Sequence, residues 1–425
     1  MNKFNILVFP CGSEIGLEIY RSLAYSSHIN LIGASSADDH GKFRYEQYIG
    51  NLPFIDSPDL IPALRKIVRD KSIDAIYPSM DAVINMLKRH ESDLGCKVIS
   101  SEADTTDICL SKTKTYDLLK EYIKVPIVYL SIKEIKKYPV FIKPDVGYGT
   151  RGVCKAENEE EASNFLSENI KMKYVITEYL PGKEYTVDCF TDRNNKLRFV
   201  GQRIRNRISN GISVNTKPIV EKILFNTFAK SIAQAIKFRG AWFFQVKEDS
   251  DKNLTLLEIA ARLGGSSGLY RNKGVNFALL SIFDAYNLDV EIITNQYDIE
   301  LDRALSNRFK LSLTYDTIYV DFDDCLILNQ KVNTELIQFL YKSFNEKKHI
   351  VLITKHKEDL SNSLKKFRLR DLFDEIIILD LNDEKYKYIT KKNAIFIDDS
   401  FSERKMVNDK LGLPVFSPDM VECLL

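Results

Sequence analysis

At 425 residues the chain is longer than one hydrophobic core usually supports, so two or three domains are expected. Its 60 Lys and Arg nearly cancel 59 Asp and Glu, leaving a formal charge of +1. That balance argues against nucleic acid or an anionic membrane as the main partner, since either recruits a basic face. No stretch approaches the roughly 18 apolar residues of a membrane span, and the first residues carry no secretory apolar region. The seven cysteines (Cys11, Cys96, Cys109, Cys154, Cys189, Cys325, Cys423) are scattered without C-x-x-C spacing. A soluble protein of the reducing cytoplasm is the expectation.

The first apolar run, Asn5–Phe9, ends in Pro10-Cys11-Gly12-Ser13-Glu14-Ile15-Gly16, and helical spacing at Leu17, Ile19 and Leu23 follows. Strand Ile29–Ala34, helix Pro58–Asp70, strand Ala75–Pro78, helix Ala82–His90 and strand Lys97–Ser100 continue an alternation that implies a parallel sheet. A helix over Lys112–Tyr122 opens a strand-rich stretch: Val140–Lys143, Gly152–Lys155, Val175–Tyr179, Tyr185–Thr191 and Phe199–Ile204, interrupted by helix Glu159–Glu168. Helix Lys222–Phe238, strands Ala241–Lys247 and Leu254–Ala260, and helix Asn276–Tyr286 complete this part. Around Tyr297–Phe309 the text turns charged and loses its strands. A fresh α/β pattern then runs through strand Thr317–Val320, helix Asn333–Phe344, strand Ile350–Thr354, helix Leu360–Phe367, strand Glu375–Leu379, helix Glu384–Lys391 and strand Ala394–Ile397.

Phe141-Ile142-Lys143 closes a strand and leads into a loop with Gly147, Gly149, Thr150 and Gly152. The ammonium can meet phosphate oxygens, and the glycines let backbone N–H groups approach them. The order is not that of a Walker loop, because the lysine precedes the glycines. A glycine-rich hairpin with an idle lysine is the plainer reading of this stretch alone. Further on, Thr177-Glu178-Tyr179-Leu180-Pro181-Gly182-Lys183-Glu184 sets a strand end, a turn and a carboxylate in series. Leu257-Glu258-Ile259-Ala260-Ala261-Arg262 ends an apolar strand with a carboxylate and, four residues on, an arginine. Carboxylates at strand ends hold Mg²⁺ against substrate phosphates. Arg203, Arg205 and Arg207 alternate, which places them on one strand face suited to an anionic substrate. Ser209–Ser213 should line the same site.

In this order, these stretches resemble the ATP-grasp superfamily over about residues 1–300, especially members similar to carbamoyl-phosphate synthetase large subunits. The resemblance implies that Lys112 and Lys143 contact ATP phosphates under the Gly147–Gly152 loop. It gives adenine to the backbone of Glu178, Tyr179 and Leu180, the ribose to Glu184, and Mg²⁺ (Mn²⁺ as an alternate) to Gln245 and Glu258. Arg262 would steady the transferred phosphoryl group or the acyl phosphate, with Arg203 a weaker candidate beside it. Many relatives carry Asn two residues after the metal-binding Glu. Here that position is Ala260, so one ligand must come from elsewhere or from water. The Gly12…Gly16 turn has too few glycines for a dinucleotide fingerprint, and the resemblance assigns that domain to the substrate side.

Ile318-Tyr319-Val320-Asp321-Phe322-Asp323 delivers two carboxylates into a loop, a nucleophile and an acid/base for phosphoryl transfer near Mg²⁺. With Thr354 at a strand end, Lys385 (Lys387 as alternate) at a helix start, and Asp398-Asp399 after a strand, the set resembles the haloacid-dehalogenase-like (HAD) superfamily over about 314–425. That implies Asp321 as nucleophile, Asp323 as general acid/base, and Thr354 and Lys385 on the phosphoryl group. Asp398 or Asp399 would complete a Mg²⁺ shell with Asp321 and Asp323.

The implied architecture is α/β. A Rossmann-like preATP-grasp domain spans 1–105, and an α+β ATP-grasp domain spans 106–300 with a lid at about 125–215. A linker at 301–313 leads to a separate, capless HAD-like doubly wound α/β domain over 314–425. The implied activity is bifunctional: a carboxylate–amine (or ammonia) ligase and a phosphatase acting on a phosphate ester, in polysaccharide or secondary-metabolite biosynthesis. No nucleic acid or membrane partner is expected, and a homodimer is left open. The alternatives are a ligase with a merely structural second domain, or a nucleotide-binding regulator.

Overall fold

The computed structural model describes residues 3–147, 152–304, 309 and 311–425. The chain separates into two compact units, Met1–Ser306 and Asn307–Leu425. Among the described residues, no helix is long and apolar enough to cross a membrane.

The first unit opens with strands β1 (Phe4–Phe9), β2 (Ile29–Ala34), β3 (Gln47–Ile49), β4 (Ala75–Pro78) and β5 (Lys97–Val98), a parallel sheet in the order β3-β2-β1-β4-β5. Alternation along β1 feeds two cores. Ile6 and Val8 join a cluster with Phe190 and Phe277, whereas Leu7 and Phe9 join one with Leu60 and Leu64. Burial on both faces is why a central parallel strand reads as a continuous apolar run. The helix Glu14–Leu23 starts where the Ser13 side chain accepts from the Gly16 N–H. A Cβ on Gly16 would stand 2.4 Å from the Cys11 carbonyl oxygen, so only glycine lets the helix close on this turn.

Strands β6 (Val128–Tyr129), β7 (Val140–Pro144), β8 (Cys154–Ala156) and β9 (Tyr174–Glu178) form an antiparallel sheet in the order β6-β9-β7-β8. The helix Glu159–Glu168 covers it through Ala162. Six further strands make the largest sheet: β10 (Glu184–Thr191), β11 (Leu197–Ser209), β12 (Ile212–Pro218), β13 (Gly240–Glu248), β14 (Leu254–Ala260) and β15 (Leu301–Asp302), in the order β14-β13-β10-β11-β12-β15.

Three features of this unit differ from the sequence expectation. β11 runs past Ile204 to Ser209 and returns as β12 through Asn210-Gly211, both at positive φ (49° and 78°). An Asn-Gly pair is the strongest short hairpin signal, but the Arg-rich arm before it lacks the apolar alternation that marks a strand. A bulge between Arg205 and Arg207 breaks the two-residue period, so the three arginines do not share one face. Leu301–Asp302, expected within a linker, pairs with Asn215–Thr216 at the sheet edge, where backbone bonding needs no apolar pattern.

The second unit holds β16 (Thr317–Val320), the hairpin β17 (Ile327–Leu328) and β18 (Lys331–Val332), then β19 (His349–Thr354), β20 (Glu375–Ile378), β21 (Ala394–Ile397) and β22 (Val415–Phe416). Its five-stranded parallel sheet has the order β20-β19-β16-β21-β22. Only the small hairpin and the helix Thr334–Asn345 separate Asp321 from β19. The helix expected over Glu384–Lys391 is a single 3-10 turn, Lys385–Tyr388. Lys-Tyr-Lys-Tyr-Ile-Thr has no helical apolar face, and the Lys385 side chain must turn inward, where it is 3% exposed.

Candidate functional site

In the first unit the site is assembled at strand ends. Lys143, next to last in β7, is 7% exposed. Its ammonium donates to the Tyr116 hydroxyl at 2.7 Å and the Leu257 carbonyl at 3.3 Å. Among the described residues no carboxylate pairs with it. Burial, reinforced by the charge of Lys112, pulls its pKa down to about 7 against the opposing pull of Glu258 and Glu184. Asp145, two residues on, accepts from the Ser111 hydroxyl at 3.0 Å and the Thr113 N–H at 2.8 Å. It thereby ties the start of helix Lys112–Leu119 to the end of β7 and brings the two lysines together. Lys112 donates to the Gly147 carbonyl at 3.3 Å, and burial lowers its pKa as well.

Register does the rest. Arg203 on β11 opposes Thr186 on β10, Thr186 opposes Gln245 on β13, and Gln245 opposes Glu258 on β14. Directly paired residues project from the same face, so these four form one rung across four strands. A cavity of about 200 Å³ meets the rung and is lined by Lys112, Lys143, Gly147, Glu178, Tyr179, Leu180, Glu184, Gln245 and Glu258. Leu257, Ile208 and Phe141 add apolar wall. The Tyr179 ring is flanked by the ammonium groups of Lys155 at 4.6 Å and Lys247 at 5.7 Å from its centroid.

A larger cavity, about 700 Å³, shares Lys112, Gly147, Gly211, Gln245 and Glu258 with the first and adds Arg203, Arg262, Asn210, Ile212 and Ser213. Arg262 is gripped by both oxygens of Asp81, each at 2.8 Å. Asp81 begins the helix after β4, so the parallel sheet supplies the group that aims this arginine. Arg205 bonds to Glu184, to Gln245 at 2.7 Å and to the Gly211 carbonyl at 2.6 Å, holding the hairpin tip against the site. Arg207 lies apart, paired with Asp302 at 2.8 Å. Gly152, at φ 66°, lines neither cavity. Gly149 and Thr150 lie outside the described residues. Ala260 is buried opposite Phe243 and offers no ligand atom.

Sequence reasoning missed Asp81, Asp188 and the fixing role of Arg205. Asp188 binds Arg203 at 2.6 Å, with both side chains almost fully buried. Among the described residues the Arg203 Nη1 has no partner. Asp188→Ala should strand this guanidinium and destabilise the unit by about 3–5 kcal/mol, measurable as a lowered urea midpoint.

In the second unit β16 and β21 are parallel neighbours with Val320 opposite Ile397. The next residues, Asp321 and Asp398, therefore emerge side by side. Lys385 bridges them at 2.7 and 2.6 Å. Burial raises the pKa of both carboxyls, and Lys385 opposes the rise. Burial also works against the Lys385 charge, but the two carboxylates outweigh it and hold its pKa above the ordinary value. Asp398 further accepts from the Ser400 N–H at 2.8 Å. Asp321, Asp398 and Asp399 bring carboxylate oxygens within 4.8 Å of one another, a set able to hold a divalent cation. Thr354, fully buried at the end of β19, accepts from the His356 N–H at 3.2 Å. Lys387, the alternate, is exposed and paired with Glu384. Asp323 stays outside the carboxylate cluster: its oxygens meet His356 Nδ1 at 2.9 and 3.0 Å. No sequence spacing pointed to His356.

Residues 171–303 match the family described as ATP-grasp in the biosynthetic pathway with Ter operon. A D-alanine–D-alanine ligase of Thermotoga sp. (strain RQ2) is 29% identical over 134 residues, 29% of this chain and 44% of that enzyme. The chain thus spans less than half the length of that relative. The arginine-specific large chain of carbamoyl phosphate synthase from Halalkalibacterium halodurans is 19% identical over 256 residues, covering 55% of this chain and 24% of that one. Among solved structures, N5-carboxyaminoimidazole synthetase from Staphylococcus aureus complexed with ADP superposes with a TM-score of 0.57 at 19% identity, covering 69% of this chain and 82% of that one. The chain therefore has an α/β ATP-grasp fold, and its residues 171–303 are similar in sequence to an ATP-grasp family.

Proposed function

We propose that the first unit is an ADP-forming ligase that joins a carboxylate to an amine or ammonia using ATP and Mg²⁺. The observation that carries this is Lys143, buried near Lys112 with no paired carboxylate among the described residues, in a cavity that Gln245 and Glu258 also line. Two desolvated cations in a partly apolar pocket suit a polyphosphate attached to a flat base. Bound ATP with Mg²⁺ supplies the γ-phosphoryl group and neutralises its charge. Lys112 and Lys143 hold phosphate oxygens, Glu178–Leu180 receive adenine, and Glu184 receives the ribose once Arg205 yields it. Gln245 and Glu258 are the metal ligands. Arg262, aimed by Asp81, steadies the transferred phosphoryl group or the acyl phosphate in the larger cavity. A carboxylate oxygen would attack the γ-phosphorus as the bond to ADP breaks; the amine nitrogen would then attack the carbonyl carbon of the acyl phosphate, and phosphate would leave, taking up the amine's proton, as the amide forms. Such catalysis is mostly positioning and charge neutralisation.

The adjacent Asp321, Asp398 and Asp399 carry a second reading: the second unit is a HAD-type, Mg²⁺-dependent phosphatase, and the chain is bifunctional. Asp321 attacks phosphorus, the ester P–O bond breaks, and the leaving oxygen takes a proton from Asp323. Asp323 then accepts a proton from the water that releases phosphate from Asp321. Thr354 and Lys385 hold the phosphoryl oxygens. The substrate is a phosphate ester that precedes or follows the ligation.

ADP release from Asp321→Asn protein, screened over carboxylate and amine pairs, tests the ligase without interference from the second centre. Turnover should require both substrates; turnover independent of either would sink the reading. Hydrolysis of p-nitrophenyl phosphate, lost in Asp321→Asn, tests the phosphatase.

A further inference from the structure

We infer that His356, fixed by Ser363, is the positioning residue for Asp323 in the second unit; the inference rests on the phosphatase reading above. His356 is buried to about nine-tenths of its side chain, at 10% exposure, while Asp323 is 53% exposed. Its Nδ1 lies 2.9 and 3.0 Å from the two Asp323 oxygens, and its Nε2 lies 3.1 Å from the Ser363 hydroxyl. The ring also packs edge-on against Phe322 at 4.9 Å. Both nitrogens are thus engaged, and the ring is held by a third contact.

Ser363 and Phe322 hold the imidazole, and the imidazole in turn holds both Asp323 oxygens, so the carboxyl of a half-exposed side chain is kept in one orientation.

Asp323 matters most where the leaving oxygen is basic, because a p-nitrophenolate departs without a proton whereas an alkoxide does not. His356→Phe keeps the packing against Phe322 and removes the hydrogen bond; His356→Asn restores a donor near the Nδ1 position. The full chain is assayed with an alkyl phosphate and with p-nitrophenyl phosphate, using Asp323→Asn as benchmark. The expected result for His356→Phe is a kcat about 10–100-fold lower on the alkyl ester, less than about 3-fold lower on the nitrophenyl ester, unchanged KM, and recovery in His356→Asn. Equal losses on both esters would show a structural role, and unchanged or raised alkyl-ester activity would show that His356 parks Asp323 away from the reaction; either overturns the inference. A wild-type protein that hydrolyses neither ester removes the phosphatase reading and this inference with it. Activity lost in Asp321→Asn but indifferent to His356 removes the inference alone.

Discussion

Lys143→Met should reduce ligation by at least about a hundredfold and weaken ATP binding roughly 10–100-fold, while making the protein more stable. The opposite signs follow from one fact. Among the described residues the buried ammonium has only a hydroxyl and a carbonyl as partners, and its pKa falls from 10.5 to about 7. The unfolded chain therefore holds more protons than the native one between about pH 7 and 10.5. Burial of this lysine costs stability that grows as pH falls through that window and is complete below about 7. Methionine fills the same space without the charge, so the gain in thermal midpoint should be largest at and below pH 7 and shrink towards pH 10. Nucleotide binding has the complementary dependence. Phosphates raise the lysine pKa, so the complex binds more protons than the free protein. ATP affinity should fall as pH rises above about 7, with proton uptake visible calorimetrically as a buffer-dependent enthalpy. In Lys143→Met both the slope and the uptake should be gone. A pH-independent affinity in the wild type would place the phosphates elsewhere.

Asp321→Asn should abolish phosphate-ester hydrolysis, by about a thousandfold or more, and leave ligation intact. Asparagine keeps the shape and the loop, while Lys385 retains Asp398 at 2.6 Å, so the fold should survive. Mg²⁺ supplies a readout independent of turnover. A cation held by three carboxylates stabilises the native state by mass action, so millimolar Mg²⁺ should raise the unfolding midpoint of the second unit. The rise should shrink in Asp321→Asn and vanish in Asp398→Asn. Lys385→Ala is the harsher change: Asp321 and Asp398 are left facing each other in a buried setting, at a cost of about 3–5 kcal/mol. A phosphatase that survives Asp321→Asn would assign the cluster to structure.

Most of the strands in both units were legible in the sequence because their signal is local. Leu254–Ala260, Thr317–Val320 and Ala394–Ile397 are apolar runs bounded by turns, and each occupies the residues expected. The failures have physical causes of their own. The 3-10 turn at Lys385–Tyr388 arises from a lysine drawn inward by two distant carboxylates. The Arg203–Ser209 arm of the hairpin at Asn210-Gly211 is polar because it lines a cavity and pairs with carboxylates. Arg207 departs from the face of Arg203 and Arg205 through one extra residue, which a strict two-residue period cannot anticipate.

The sequence by itself determined which chemical groups this protein possesses: a strand-end lysine before glycines, a strand-end glutamate four residues before an arginine, and paired aspartates after apolar strands. These are properties of short stretches, set by strand endings and turn residues. Only the tertiary structure decided how they meet. Strand register lined up Arg203, Thr186, Gln245 and Glu258, and the adjacency of β16 and β21 set Asp321 beside Asp398. Contacts across more than a hundred residues gave Arg262 its Asp81 and Lys143 its neighbour Leu257. Pairing between strands depends on the shared burial of many residues at once, and no stretch of sequence carries that information alone.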